Sequence, residues 1–168
     1  MPSTRRTRRQ LGAWYTPEAL LAHVLDETLP AVLAESSDDP IRVLDPACGD
    51  GRFLVEAGER IRAAGRVPEL VGIDVDAGAV RSARVALAAF VGRGDARVVR
   101  ADALTRRWSG EPFDLVVGNP PFLSPLGAEH ADRPRTRASD TPYANAAFEF
   151  LELGARLARP DGGRVAFV

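Results

Sequence analysis

The segment Asn-Pro-Pro-Phe at residues 119–122 combines residue types that could hold an amino group. Pro120 and Pro121 lack backbone N–H groups and fix the backbone, so the nearby carbonyl oxygens stay free to accept hydrogen bonds. The Asn119 amide adds a carbonyl acceptor, and Phe122 adds a flat apolar face. We interpret the segment as a clamp for a planar group that carries an NH₂. The alternative is a rigid turn that places a phenylalanine in the core.

A second candidate is the segment Asp-Pro-Ala-Cys-Gly-Asp-Gly, residues 45–51. Gly49 and Gly51 allow a sharp turn and the close approach of a ligand to the backbone. Position 54 is Leu, so the segment does not match the Gly-x-Gly-x-x-Gly fingerprint of dinucleotide-binding proteins. We predict that Cys48 is a small packed residue and not a nucleophile.

Polar residues end four of the predicted strands: Asp45, Asp74, Asn119 and, just past its strand, Asp102. In open α/β sheets, ligands bind beyond the carboxyl ends of the strands. A carboxylate at the end of a buried strand needs a partner, because burying it unpaired is costly. We therefore predict a shared ligand site, in which Asp74 suits the hydroxyls of a ribose. The alternative is that each residue only caps a helix or a turn.

The scaffold that must position these residues is predicted from the alternation of strands and helices. Strands are predicted at 41–45, 70–74, 96–100, 113–118 and 164–168, and helices at 52–64, 77–90 and 144–157. This order is typical of an α/β fold: a Rossmann-like, doubly wound, mostly parallel sheet with helices on both faces.

A further helix is predicted to begin near Thr16-Pro17-Glu18. Thr16 is expected as the N-cap and Pro17 as the first helical residue. Pro30 is expected to bend or end the helix, and a polar loop is expected from Glu35 to residue 40.

The composition limits the classes of protein that the chain can belong to. Its 168 residues are 45% apolar with a net charge of −1, which suits one globular domain and argues against a strongly basic nucleic-acid binder. All 22 basic residues are Arg, so Walker-type phosphate binding through Lys is excluded. A single cysteine excludes a disulfide framework and a cysteine-rich zinc site. With no apolar run long enough to span a membrane, we expect a cytoplasmic protein.

In order and spacing, these motifs resemble those of S-adenosylmethionine-dependent N6-adenine DNA methyltransferases of restriction–modification systems. The resemblance spans almost the whole chain from residue 12 and predicts a partial catalytic domain at 13–168. The first ten residues carry four Arg and no acid, which predicts a mobile basic tail at 1–12. The resemblance implies a cofactor site formed by Tyr15, Thr16, Pro17, Asp45, Ala47, Cys48, Gly49, Gly51, Asp74, Asp102, Ala103 and Asn119. It implies a catalytic motif formed by Asn119, Pro120, Pro121 and Phe122, and no metal.

The resemblance also implies a mechanism. Asn119 and the carbonyl of Pro120 would accept hydrogen bonds from the adenine amino group, and Phe122 would stack on an adenine flipped out of the DNA duplex. His23 and His130 are not expected to be catalytic. Members of the family carry further strands and a target-recognition domain after the position of residues 163–168. We therefore expect that sequence-specific methylation needs a recognition domain or specificity subunit outside this chain.

Two other functions remain open. Protein glutamine N5-methyltransferases carry a similar Asn-Pro-Pro-aromatic clamp, which can hold a side-chain amide. The chain could also be a non-catalytic module that binds the cofactor or DNA. A last expectation concerns the strand at 164–168, whose edge is predicted to be exposed and apolar and to promote self-association.

Overall fold

A five-stranded parallel sheet lies at the centre of the computed structural model, with the strand order β3-β2-β1-β4-β5. The structure describes residues 16–37, 40–90, 96–110, 112–121 and 146–168. The strands are β1 (Ile41–Asp45), β2 (Pro68–Asp74), β3 (Ala96–Arg100), β4 (Leu115–Gly118) and β5 (Arg164–Phe167). The helices are α1 (Glu18–Glu35), α2 (Arg52–Ala63), α3 (Ala77–Ala86) and α4 (Ala146–Leu157), and a 3₁₀ turn (Leu87–Phe90) follows α3.

Helices cover both faces of the sheet. Neighbouring residues of a strand point to opposite faces, and in β1 the buried Val43 and Leu44 belong to two different hydrophobic clusters. On the first face Val43 packs among residues of α1, α2 and α3, and Leu25 and Leu54 are fully buried there. On the second face Leu44 packs among residues that include Phe150 of α4. The predicted fold class is confirmed, and every pair of strands in the described sheet is parallel.

The predictions for the first helix were partly wrong. Pro30 does not end α1, which continues to Glu35, and the expected polar loop begins only after that residue. Pro30 is exposed, while Leu29 and Val32 on either side of it are buried, so packing holds the helix across the proline. The N-cap is Pro17 instead of Thr16, and among the described residues no side chain caps the helix.

Other boundaries differ by a few residues. The second strand begins at Pro68 instead of Leu70, and the fourth begins at Leu115 instead of Phe113. Phe113 instead forms an isolated bridge with Ala158. Residues 144 and 145 of the predicted last helix lie outside the described part of the chain.

Strand β5 forms one edge of the described sheet. Its residues are half-buried, so the strand is less exposed than the sequence predicted. The reason is the packing of α4, where Gly154 comes so close that a Cβ on it would lie 2.8 Å from Val165 and 3.2 Å from Phe167.

Candidate functional site

The carboxyl ends of the strands bring the predicted site residues to one edge of the sheet. Asp45 ends β1, Asp74 ends β2, Asp102 follows β3 and Asn119 follows β4. Strand β1 lies between β2 and β4, so the direction in which strands are added reverses between β1 and β4. Such a reversal opens a crevice where ligands bind in doubly wound folds. Asp45 and Asn119 lie on the two strands that border it.

Asp45 is 1% exposed. Its Oδ1 accepts a hydrogen bond from the backbone N–H of Ala47 at 3.0 Å. The pKa of Asp45 is raised to about 8, mainly by burial; the hydrogen bond from Ala47 lowers it, and the charges of Asp74 and Asp50 add to the rise. At neutral pH this carboxyl is therefore largely protonated, unless a positively charged ligand group lies against it.

The turn between β1 and α2 lies against the end of β2. The backbone N–H of Cys48 donates to the carbonyl of Ile73 at 2.8 Å, and the N–H of Gly51 donates to the carbonyl of Cys48 at 2.8 Å. Gly51 has a φ of +86°, and a Cβ on it would lie 3.0 Å from the Cβ of Ala83. A Cβ on Gly49, by contrast, would meet no atom within 4 Å in the part of the chain that the structure describes. The turn therefore needs Gly51 for packing and leaves open space beside Gly49.

Asp74 connects this turn to the end of β2 through hydrogen bonds. Its Oδ2 accepts from the N–H of Gly49 at 2.8 Å, and its Oδ1 accepts from the N–H of Asp76 at 2.8 Å. Burial raises the pKa of Asp74, and these two hydrogen bonds lower it. A carboxylate offers about four lone-pair sites, so these backbone hydrogen bonds leave it able to accept from a ligand.

Cys48 lies in this turn and is 5% exposed. A Cβ on Gly72 would lie 2.9 Å from its sulfur, so the thiol fills the space that this glycine leaves. Burial raises the pKa of the Cys48 thiol, which disfavours the nucleophilic thiolate. The structure therefore supports the prediction of a packed residue.

The segment after β3 is held by hydrogen bonds between its own residues. Oδ1 of Asp102 accepts from the N–H of Leu104 at 3.0 Å, and the carbonyl of the buried Ala103 accepts from the indole N–H of Trp108 at 2.9 Å. Asp102 itself is half-buried. Its carboxylate is held at the edge of the site, where a ligand can reach it.

The described part of the Asn-Pro-Pro motif leaves the sheet directly after β4. Asn119 is half-buried, and Pro120 is buried. The side-chain N–H of Asn119 (Nδ2) donates to the hydroxyl of Thr16 at 3.0 Å. Thr16 is 6% exposed, and it makes this contact in place of the expected helix cap. Sequence reasoning missed the pairing, because no local pattern links residues 103 positions apart.

Tyr15 and Phe122 lie outside the described residues, so their roles stay predictions.

Asp114 is a buried acid that the sequence reasoning did not single out. Its Oδ2 accepts from the backbone N–H of Arg42 at 2.8 Å, and its Oδ1 pairs with Arg159. Asp114 precedes β4 and therefore lies at the opposite edge from the site, where its role is structural.

In the described ranges, no group of three or more His, Cys, Asp or Glu residues has the arrangement of a metal site. The helices described there are too short or too polar to cross a membrane.

Comparison with known proteins places this fold in a class. The chain has the fold of class I S-adenosylmethionine-dependent methyltransferases. One solved structure with this fold is the type I restriction-modification system methyltransferase subunit of Streptococcus thermophilus, which has a TM-score of 0.70 and 23% identity and for which 93% of this chain and 34% of that chain align. The chain belongs to the N-6 DNA Methylase family, whose model matches residues 3–168.

Two curated relatives bear on the function. The Type II methyltransferase M.VspI of Vibrio sp. (strain 343) is 30% identical over 123 residues, which cover 72% of this chain and 28% of that protein. The release factor glutamine methyltransferase of Chlorobaculum tepidum is 34% identical over 109 residues, which cover 63% of this chain and 35% of that protein. The chain thus spans about a third of the length of these relatives or less.

Proposed function

We propose that the chain binds S-adenosylmethionine at the carboxyl edge of the sheet and transfers its methyl group to the N6 amino group of adenine in DNA. The observation that carries the proposal is the position of Asn119. It follows β4 at the crevice, beside the strand that ends in Asp45, so an amide acceptor borders the group of carboxylates. Membership of the N-6 DNA Methylase family supports the choice of DNA as the substrate.

The residues at this edge fit the cofactor. Asp45, Asp74 and Asp102 end or follow three neighbouring strands, and acids are suited to a ligand that carries hydroxyl and ammonium groups. The open space beside Gly49 gives such a ligand access to the turn. We assign Asp74 to the ribose hydroxyls, and Asp102 with Ala103 to the adenine of the cofactor. When bound, S-adenosylmethionine supplies a methyl group on a positively charged sulfur.

The acceptor side is assigned to Asn119 and Pro120. The Asn119 oxygen (Oδ1) and the carbonyl of Pro120 would accept hydrogen bonds from the NH₂ of adenine. These two hydrogen bonds raise the electron density on the amino nitrogen and orient this nitrogen toward the methyl group. Positioning and electrostatics therefore account for most of the rate enhancement. Both acceptors are neutral, and the surplus proton of the methylated amine passes to solvent. Phe122 is assigned to stacking on the flipped base.

The test is methyl transfer from isotope-labelled S-adenosylmethionine to adenine-containing DNA duplexes, with N6-methyladenine measured by mass spectrometry. The matched variant is Asn119→Ala, which should lose transfer and keep cofactor binding nearly intact, because Asn119 contacts the acceptor group. A duplex whose adenines already carry N6-methyl groups is the substrate control. Label that appears on DNA equally with both proteins, or never on adenine, would contradict the proposal.

A protein glutamine N5-methyltransferase is the second candidate, because the release factor glutamine methyltransferase relative is 34% identical over its aligned part. A side-chain amide also presents an NH₂ to the Asn119 clamp. Transfer to a release factor in place of DNA, in the same assay, would favour this function.

We also propose that a target-recognition domain or specificity subunit selects the DNA sequence. The chain has a net charge of −1, and phosphate contacts by basic residues supply most non-specific DNA affinity. We expect weak, salt-sensitive DNA binding without sequence preference by the 168 residues alone. Methylation of one short sequence without any added partner would contradict this. A DNA substrate also fits the cytoplasmic location expected from the sequence.

A further inference from the structure

The side-chain amide of Asn119 has two ends of opposite hydrogen-bonding character. Its oxygen accepts and its NH₂ donates, and a half-turn of the amide exchanges the two. Only the oxygen can accept a hydrogen bond from the NH₂ of a substrate. An Asn119 side chain turned the wrong way would present a donor to a donor and repel the substrate amino group. The orientation of the amide therefore decides whether the clamp works.

In the structure the amide has the orientation that the clamp needs. Nδ2 of Asn119, not Oδ1, lies 3.0 Å from the Thr16 hydroxyl, which accepts the hydrogen bond. With the NH₂ against Thr16, Oδ1 lies in the same plane on the other side of the Cβ–Cγ bond and points away from Thr16.

Thr16 is itself held in place at the start of α1. The carbonyl of the next residue, Pro17, accepts hydrogen bonds from the N–H groups of Leu20 and Leu21, both at 3.0 Å. The side chains of Leu21 and Leu25 anchor the helix in the core, with exposures of 4% and 0%. Thr16 thus lies at the start of a packed helix, and it is itself 6% exposed.

The backbone on the other side of the contact is also fixed. The carbonyl of Gly118, directly before Asn119, accepts from the N–H of Val168 at 3.1 Å, and Pro120 directly after it is buried. With the backbone fixed at both ends, the Thr16 contact restrains the rotation of the side-chain amide.

We propose that Thr16 is a positioning residue that holds the Asn119 amide with its oxygen directed to the acceptor site, so that the clamp selects groups that donate hydrogen bonds. This inference rests on the proposed methyl transfer. It gives Thr16 a role toward the acceptor group, in addition to the contact with the cofactor that the sequence resemblance implies. A keto oxygen presented to the same clamp would face a second acceptor and be rejected.

The test compares single-turnover methyl transfer at saturating S-adenosylmethionine and DNA for Thr16→Val and Thr16→Ser. Valine keeps the shape of threonine and removes the hydroxyl, and we expect a rate roughly tenfold or more lower, as for the loss of one positioned hydrogen bond. Serine restores the hydroxyl and should recover most of the rate. Thr28→Val is the matched control, because it removes a hydroxyl of the same helix that donates to the carbonyl of Val24. It should transfer at the wild-type rate.

A second readout does not depend on activity. In ¹⁵N-labelled protein, the side-chain NH₂ signals of Asn119 are identified by their loss in Asn119→Asp. They should shift in Thr16→Val and not in Thr28→Val. Melting curves check the folding of each variant, and Thr16→Ala replaces Thr16→Val if valine is not tolerated.

The outcomes separate this inference from the proposed function. A wild-type protein that transfers no methyl group to DNA, with or without a recognition subunit, contradicts the function, while unshifted Asn119 amide signals in Thr16→Val contradict the contact. A wild-type rate in Thr16→Val, a rate in Thr16→Ser as low as that of valine, or a defect only in cofactor affinity would overturn the positioning role.

Discussion

A Cβ on residue 118 would lie 2.5 Å from Oδ1 of Asp45, so the glycine at the end of β4 and the acid at the end of β1 are matched to each other. Real Cβ atoms do not approach other heavy atoms so closely, and the fully buried carboxylate has little room to move. Because residue 118 has no Cβ, β1 and β4 can pair although the carboxyl group of Asp45 lies between their ends.

We therefore expect Gly118→Ala to destabilise the protein by about 1–3 kcal/mol, the usual cost of overpacking a filled site. It should also weaken the binding of S-adenosylmethionine, because the displaced group is Asp45. Chemical denaturation and calorimetry measure the two effects.

The control is a double-mutant cycle with Asp45→Ala, which removes the atoms that the new methyl group would meet. Gly118→Ala should cost less stability in the Asp45→Ala background than in the wild type. Equal costs in both backgrounds would show that the close approach does not limit residue 118.

The stability of the fold should depend on pH through Asp45. Its folded pKa of about 8 lies above its ordinary value of 3.8, so between these values the folded protein binds more protons than the unfolded chain. The free energy of unfolding should then fall as pH rises through this window. The raised pKa of Asp74 acts in the same direction. Asp45→Asn, which cannot ionise, should flatten the decline when denaturant unfolding is measured from about pH 5 to about pH 9.

Asp26→Asn provides the control for the pH series. It removes one carboxylate from the surface of α1, where Asp26 pairs with Arg60 and is 64% exposed. Its slope of stability against pH should match the wild type in this window. Equal slopes for Asp45→Asn and the wild type would mean that Asp45 is already ionised at neutral pH.

Much of this arrangement could be predicted from the sequence because it depends on local patterns. Runs of apolar residues ending in Asp45 and Asp74 predicted strands with acids at their carboxyl ends, and the glycines at 49 and 51 predicted the turn. These features depend on neighbouring residues and on the parallel sheet, which places all strand ends at one edge.

The pairings across the fold could not be predicted in this way. Thr16 matched a helix cap by its position before Pro17, and only the folded chain brings its hydroxyl to Asn119. The requirement for glycine at position 118 could not be predicted, because it comes from Asp45 on another strand. Pro30 does not end the helix, because the packing of buried residues on both sides of it outweighs the backbone hydrogen bond that the proline removes.

Asp74 should contribute to cofactor affinity through its charge. Asp74→Ala removes an acceptor for the ribose hydroxyls and for the N–H of Gly49, and we expect it to weaken the binding of S-adenosylmethionine by about 1.5–3 kcal/mol. Asp74→Asn keeps one acceptor oxygen without the charge and should have an intermediate effect. Calorimetric titration of each variant measures the affinity.

The same titration of Asp26→Ala controls for the loss of one negative charge far from the sheet edge. It should bind the cofactor as the wild type does. If Asp74→Ala also binds with unchanged affinity, the assignment of Asp74 to the ribose is wrong.

Strand β5 should determine whether the 168 residues self-associate. The N–H groups of Arg164 and Val168 donate to the carbonyls of Asp114 and Gly118, on the side of β4. Because backbone groups alternate in direction along a strand, the N–H groups of Val165 and Phe167 point to the other side, toward the edge of the described sheet. Such an edge is a template for pairing with a second chain.

We expect the sedimentation coefficient of the wild-type chain to rise with protein concentration, and Val165→Pro to reduce this rise. The proline removes an edge donor and no bond to β4, which is the position in a sheet where proline is tolerated. Ala166→Pro is the contrasting variant, because the N–H of residue 166, like those of Arg164 and Val168, points toward β4, and the same change there should lower the melting temperature more. A wild-type chain that sediments as a monomer at every concentration, or a Val165→Pro variant that associates as the wild type does, would show that self-association does not proceed through this edge.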